Sequence, residues 1–116
     1  MGLVLVIVAV LAVVLASRSN ERTQAVGNQA ASKFEQERQA AIEAAKTAYA
    51  KAKTEGKDLN DGPCLGVVAP NWVADVAHEP RQQVDNLREN QCEQFINREV
   101  EHFVELSPQG VIIRAL

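Results

Sequence analysis

The chain has little of what most enzymes and nucleic-acid-binding proteins display. Its 116 residues include two cysteines, two histidines, one tryptophan, one tyrosine and three phenylalanines. It has no glycine-rich phosphate loop, no nucleophile motif and no recognisable carboxylate pair, so no catalytic class is supported and no cofactor is expected. Lys and Arg form no cluster and the net charge is −3, which argues against nucleic acid as the main partner. Charge is missing altogether before Arg18.

What fills that uncharged stretch is Gly2 to Ala16, GLVLVIVAVLAVVLA. A membrane span takes about 20 apolar residues, with a lower limit near 17, and Met1 to Ser17 just reaches it. We read residues 1–17 as an anchor whose apolar side chains Leu3, Leu5, Ile7, Val10, Leu11, Val14 and Leu15 meet lipid or other copies of the helix. Two alternatives are a cleaved secretory signal, with Val14-Leu15-Ala16 as its processing site, and a buried core helix. Packing of several such helices in a filament would cover the same surface without lipid.

Residues 18–55 continue as a polar amphipathic helix rich in Ala, Gln, Glu and Lys, with no proline. Val26, Ala30, Phe34, Ala41, Ala45, Ala48 and Ala52 recur at helical spacing and define one narrow stripe, widened by Ile42 and Tyr49. Gly56 stops the helix, with Lys53 at its electronegative end. The spacing predicts a nearly continuous helix over residues 3–55, and a rise of about 1.5 Å per residue makes it roughly 80 Å long. Its residues 34–55 are expected to pack on the chain's own small domain and residues 3–33 on copies of the same helix, giving a homo-oligomer.

Residues 56–116 form the globular part, a size that often needs a covalent staple. Asp58-Leu59-Asn60-Asp61-Gly62-Pro63 reads as a turn-rich connector rather than a calcium loop, since the twelve-residue EF-hand pattern is absent. Trp72 to His78 reads as a short strand, with Trp72 a core plug and a short helix after Pro70 as the rival. Glu79 to Asn90 reads as an extended loop. Cys92 to Ile96 reads as a strand, followed by a turn at Asn97-Arg98-Glu99. His102–Leu106 and Val111–Leu116 flank Ser107-Pro108-Gln109-Gly110, a hairpin with a type I turn and a bulge. His102, Val104 and Leu106 share one face of the first strand; Val111, Ile113 and Ala115 share one face of the second, with Arg114 opposite. The expected class is α+β: a long N-terminal helix followed by an antiparallel sheet of three to four strands.

Cys64 and Cys92 are the only thiols, and both lie beyond the anchor. On the outer side of a membrane they should pair as a disulfide, the staple that a domain of this size needs. Arg18 and Arg22 pull the other way, because positive charge after a span favours the cytoplasmic side. A zinc site of Cys64, His78, Cys92 and His102 is the rival, with neither a C-x-x-C nor an H-x₃-H pair to support it. A catalytic Cys–His pair has no local signature.

The runs GPCL at 62–65, AHEPRQQVDN at 77–86, ENQC at 89–92 and HFVEL at 102–106 resemble a group of small, anchored, functionally uncharacterised prokaryotic proteins. That resemblance covers roughly the last sixty residues and implies no site residue. The architecture as a whole is similar to type IV pilin-like proteins, in which an apolar helix start anchors the subunit in the membrane and later packs in a filament core. Such proteins carry an acidic residue early in the apolar run; here the run has none. The resemblance implies a structural subunit of an extracellular filament, membrane-held before assembly, with its C-terminal domain outside the cytoplasm. The alternative is a monomeric, single-pass, membrane-anchored extracytoplasmic binding or scaffold module.

Overall fold

A computed structural model describes residues 2–116, with side chains described from Val14 onward. The chain divides into two units, residues 1–36 and 37–116, and the division falls within the first helix, α1 (Gly2–Thr54).

In the first unit every described side chain is exposed, including Val14, Leu15, Val26 and Phe34. The hydroxyls of Ser19 and Thr23 donate to the carbonyls of Leu15 and Ser19, one turn back, so these polar side chains sit on the helix without breaking it. Leu3, Leu5, Ile7, Val10 and Leu11 lie outside the residues whose side chains are described. Among the described residues, no helix is long and apolar enough to cross a membrane.

The second unit opens with the rest of α1. Ala41, Ile42, Ala45 and Ala52 are buried and Tyr49 is half-buried. The stripe therefore packs on the chain's own sheet, as its spacing predicts, but from Ala41 rather than from Phe34. Gly56, at φ 77°, ends the helix: its N–H donates to the Lys53 carbonyl and that of Lys57 to the Ala52 carbonyl. These two bonds satisfy carbonyls that the last turn leaves without helical partners.

The sheet has four strands in sequential order: β1 (Cys64–Ala69), β2 (Trp72–Val76), β3 (His102–Leu106) and β4 (Ile112–Ala115). It is mixed rather than antiparallel. β1–β2 and β3–β4 are antiparallel hairpins, but β2 and β3 run parallel, Trp72 against His102 through Val76 against Leu106. Parallel neighbours need a crossover of about a dozen residues or more, and residues 77–101 supply it. Strand β1 was not anticipated, because Gly66 and two register shifts erase its alternation. It turns into β2 through Pro70 and Asn71, with Asn71 at φ 65°, the residue pair a type II turn favours.

Cys92 to Ile96 is a second correction. The segment is not a strand: Glu93–Ile96 form a single helical turn, α2. The N–H groups of Phe95 and Ile96 both donate to the Cys92 carbonyl, at 3.1 and 3.2 Å. Arg98, at φ 59°, then closes the turn, with the Glu99 N–H on the Gln94 carbonyl. The turn expected at Asn97–Glu99 is thus a helix stop. The loop at Glu79 to Asn90 is irregular but contains two 3₁₀ turns, Gln83–Asn86 and Arg88–Asn90.

The final hairpin follows the sequence closely. The Gly110 N–H donates to the Ser107 carbonyl and Gly110 is at φ 85°, a type I turn with its bulge. The face assignment in β4 differs, however. Ile112 pairs with Leu106 and Arg114 with Glu105, with a register shift between them. Ala115 is in the core as expected, and Ile112 packs against it in place of Val111 and Ile113.

The result is three layers. Ala41, Ile42 and Ala45 of α1 pack against Trp72, Ala74, Val104, Leu106 and Ala115. Trp72 is 1 % exposed, the core plug its uniqueness suggested. On the opposite face Val73 packs with Cys92 and Val100 of the crossover.

Candidate functional site

Alternation along the two central strands decides what faces the crossover. Trp72, Ala74 and Val76 of β2 turn towards the helix side, leaving Val73 and Asp75 for the other face. On β3 the same alternation leaves Phe103 and Glu105 there. The two strands are in register, so Asp75 and Glu105 are direct neighbours. Arg114 of β4 pairs with Glu105 on the far side. The crossover supplies the walls, with Arg81 on one side and Cys92, Phe95, Ile96, Arg98 and Val100 on the other. They enclose an open cavity of about 780 Å³, within the range of small-ligand sites.

Glu105 is buried, yet both its oxygens are matched. Arg81 Nη1 donates to Oε1 at 2.9 Å, and Arg114 Nε donates to Oε2. Arg81 is itself fixed, with Nε on Asn86 Oδ1 at 2.8 Å and Nη2 on the Asp85 carbonyl at 3.1 Å. A planar fork of donors suits this arrangement better than an ammonium would. Asp75 is different: its Oδ1 is buried with no hydrogen-bond partner. Burial, and then the neighbouring Glu105 charge, push its pKa up to about 7, against the opposing pull of Arg81 and the Val76 N–H. At neutral pH this carboxyl is therefore close to half protonated.

The aromatic part of the cavity is equally organised. Phe95 and Phe103 meet edge to face with ring centroids 5.2 Å apart, and the Arg114 guanidinium lies 6.0 Å from the Phe103 centroid. Phe95 and Ile96 remain exposed at the rim.

A second polar cluster ties down the base of the crossover. Asp85, with its side chain fully buried, accepts from the backbone N–H groups of His78 at 3.1 Å and Gln82 at 2.8 Å, and contacts His78 Nδ1 at 2.9 Å. Burial acts to raise its pKa, but the Gln82 N–H, the His78 imidazole and the His78 N–H outweigh it and hold the carboxyl below the usual range. This cluster fixes the loop that carries Arg81.

Cys64 and Cys92 form the expected disulfide, Cα atoms 5.0 Å apart. It pins α2 and the crossover to the edge hairpin, and Cys92 lines the cavity. With both sulfurs used, Cys64, His78, Cys92 and His102 are not brought together as a zinc set. His78 is on Asp85, and the His102 ring stacks on Trp72 at 4.7 Å. Asp58 caps the 3₁₀ turn Leu59–Asp61 by accepting from the Asn60 N–H, so the Asp58–Asp61 region is a turn.

Asp75, Arg81, Glu105 and Arg114 were not singled out from the sequence. A signal exists: WVADV and HFVEL each carry one acid at the fourth position of an otherwise largely apolar strand. Such an acid needs a partner, and two at the same position suggest adjacent strands. No protein-family model, curated protein or solved structure matches the chain.

Proposed function

We propose that the chain is a membrane-anchored, extracytoplasmic binding module. The apolar N-terminal segment holds it to the membrane, and the disulfide-stapled domain presents the cavity beside β2 and β3 to a ligand. The single observation that carries this reading is the cavity itself, with its matched Glu105, unmatched Asp75 and rim of Phe95 and Ile96. The Cys64–Cys92 bond supports an oxidising compartment. This reading involves no catalysis, and its partner is a ligand or protein rather than nucleic acid. The test is protease digestion of intact cells followed by non-reducing mass spectrometry of the membrane fraction. Release of the C-terminal domain, two hydrogens lighter than the reduced mass, is expected; a protected domain with free thiols would overturn the reading.

A pilin-like filament subunit is the second reading. It is favoured by the helical stretch from Val14 to Glu37, where all side chains are exposed, the apolar Val14, Leu15 and Val26 among them. In that case the membrane holds the subunit only before assembly, and the product is a homo-oligomer at the cell surface. Electron microscopy of the cell-surface fraction distinguishes the two: regular filaments containing this chain support the second reading, and a dispersed membrane species supports the first.

A further inference from the structure

The cavity has a charge pattern that selects among ligands. Three guanidinium groups line it, Arg81, Arg98 and Arg114, against the carboxylates of Glu105 and Glu101. With Asp75 protonated the balance is three positive to two negative, or +1. Arg81 is engaged at all three of its nitrogens, by Asn86, Glu105 and the Asp85 carbonyl. Arg114 spends Nε on Glu105, and among the described residues no partner engages its Nη1 or Nη2. Arg98 has no ion pair among the described residues, and its αL backbone is fixed by its N–H bond to the Phe95 carbonyl. Two guanidinium forks are therefore available at the mouth, beside the apolar surface of Phe95, Ile96 and Val100.

We propose that this cavity binds a monoanionic carboxylate with an apolar group beside it, of the kind presented by the C-terminal residue of a peptide with a hydrophobic side chain. The proposal rests on the binding-module reading and names its ligand class. Arg114 and Arg98 donate to the carboxylate, a planar acceptor that matches a guanidinium fork. The apolar group lies against Phe95 and Ile96. A cationic ligand would meet three guanidiniums. A dianion would overshoot the +1 balance and face Glu105 and Glu101.

Asp75 makes binding depend on pH. Protonated, it sets no charge against the incoming anion and offers an O–H donor. Ionised, it repels the ligand. The charged groups around it are Glu105 from β3 and Arg81 and Asp85 from the crossover, with Arg98, Glu101 and Arg114 further along the cavity. Raising pH from 6 to 8 carries Asp75 through a pKa of about 7 and lowers its protonated fraction about tenfold.

The test uses the full chain in detergent micelles with its disulfide intact, and two probes: N-acetylphenylalanine and its C-terminal amide. Amide-proton NMR shifts at Phe95, Arg98 and Phe103 report occupancy. Saturable shifts with the acid at pH 6 are expected, about tenfold weaker at pH 8, and at least several-fold weaker with the amide at either pH. Asp75→Asn should abolish the pH dependence, and Arg114→Gln should weaken the acid by a larger factor than the amide. Equal binding of acid and amide would overturn the carboxylate assignment while leaving the binding module intact. No saturable shift with either probe, or an unchanged pH dependence in Asp75→Asn, would overturn it as well. Failure of the binding-module reading is seen separately, in the protease and thiol experiment.

Discussion

Asp75 and Glu105 stand side by side at paired positions of a parallel ladder, and only Glu105 is hydrogen-bonded to guanidinium groups. Two neighbouring carboxylates in a buried site cannot both ionise cheaply, so the unmatched one holds its proton to a higher pH than a free aspartate. The consequences are measurable in the domain's stability.

The first concerns pH. Asp75 has a folded pKa of about 7, against 3.8 for an unperturbed aspartate, so the folded state holds a proton that the unfolded chain gives up. The contribution to stability is present below about pH 4 and is lost progressively as pH rises to about 7. Asp75→Asn removes the ionisable group at constant shape. It should stabilise the protein by on the order of 2 kcal/mol at pH 8 and have little effect at pH 4. Urea unfolding at the two pH values checks this; an equal effect at both would contradict it.

Asp85 runs in the opposite sense. Its folded pKa lies below the unfolded value, so its contribution is present above about pH 4 and is lost as pH falls through the folded value. Asp85→Ala leaves the N–H groups of His78 and Gln82 without acceptors in a buried loop and should cost about 3 kcal/mol. The variant should also lack the acid limb that Asp85 gives the wild-type stability curve. Thermal melts from pH 2 to 6 read both.

Removing the staple should be felt across the whole second unit. The bond closes a separation of 28 residues, and Cys64→Ser with Cys92→Ser should lower stability by about 3 kcal/mol. Because Cys92 is also the residue from which α2 starts, amide exchange in Glu93–Ile96 should speed up more than in the β3–β4 hairpin. Uniform acceleration would mean that the bond acts only on the unfolded chain.

The β3–β4 turn leans on the helix through one glycine. A Cβ at Gly110 would meet the Tyr49 ring at 2.7 Å, at a φ of 85° that disfavours any side chain. Gly110→Ala should therefore cost 2 kcal/mol or more, roughly the sum of strain and displacement. Tyr49→Phe, which loses only the bond from its hydroxyl to the Pro108 carbonyl, should cost about 1 kcal/mol. Chemical denaturation of the two variants separates crowding from hydrogen bonding.

Long periodic features were readable in the sequence. The stripe from Ala41 to Ala52, the stop at Gly56 and the Ser107–Gly110 turn each rest on local chemistry that nothing distant overrides. The disulfide followed from compartment logic and cysteine count. What was not readable depends on pairing between remote segments. The parallel β2–β3 ladder is fixed by the crossover, whose course depends on Asp85 gathering His78 and Gln82. The β4 face assignment failed because one register shift moves Ile112 into the core, which alternation cannot foresee. The cavity was missed for the same reason. Asp75 and Glu105 are 30 residues apart in sequence and become neighbours only through that ladder.

The mixed sheet also sets how fast the domain can assemble. Its central pairing joins Trp72 to His102, so a loop of about thirty residues must close before β3 finds β2. The Cys64–Cys92 bond divides that search. Once β1 and β2 have formed their hairpin, the oxidised chain has only the stretch from Cys92 to His102 left to order. Shortening the loop threefold saves about 1 kcal/mol of closure entropy, several-fold in rate. The bond that holds the cavity wall in place thus also guides the two hairpins into register, and a reduced chain would fold more slowly than one oxidised early.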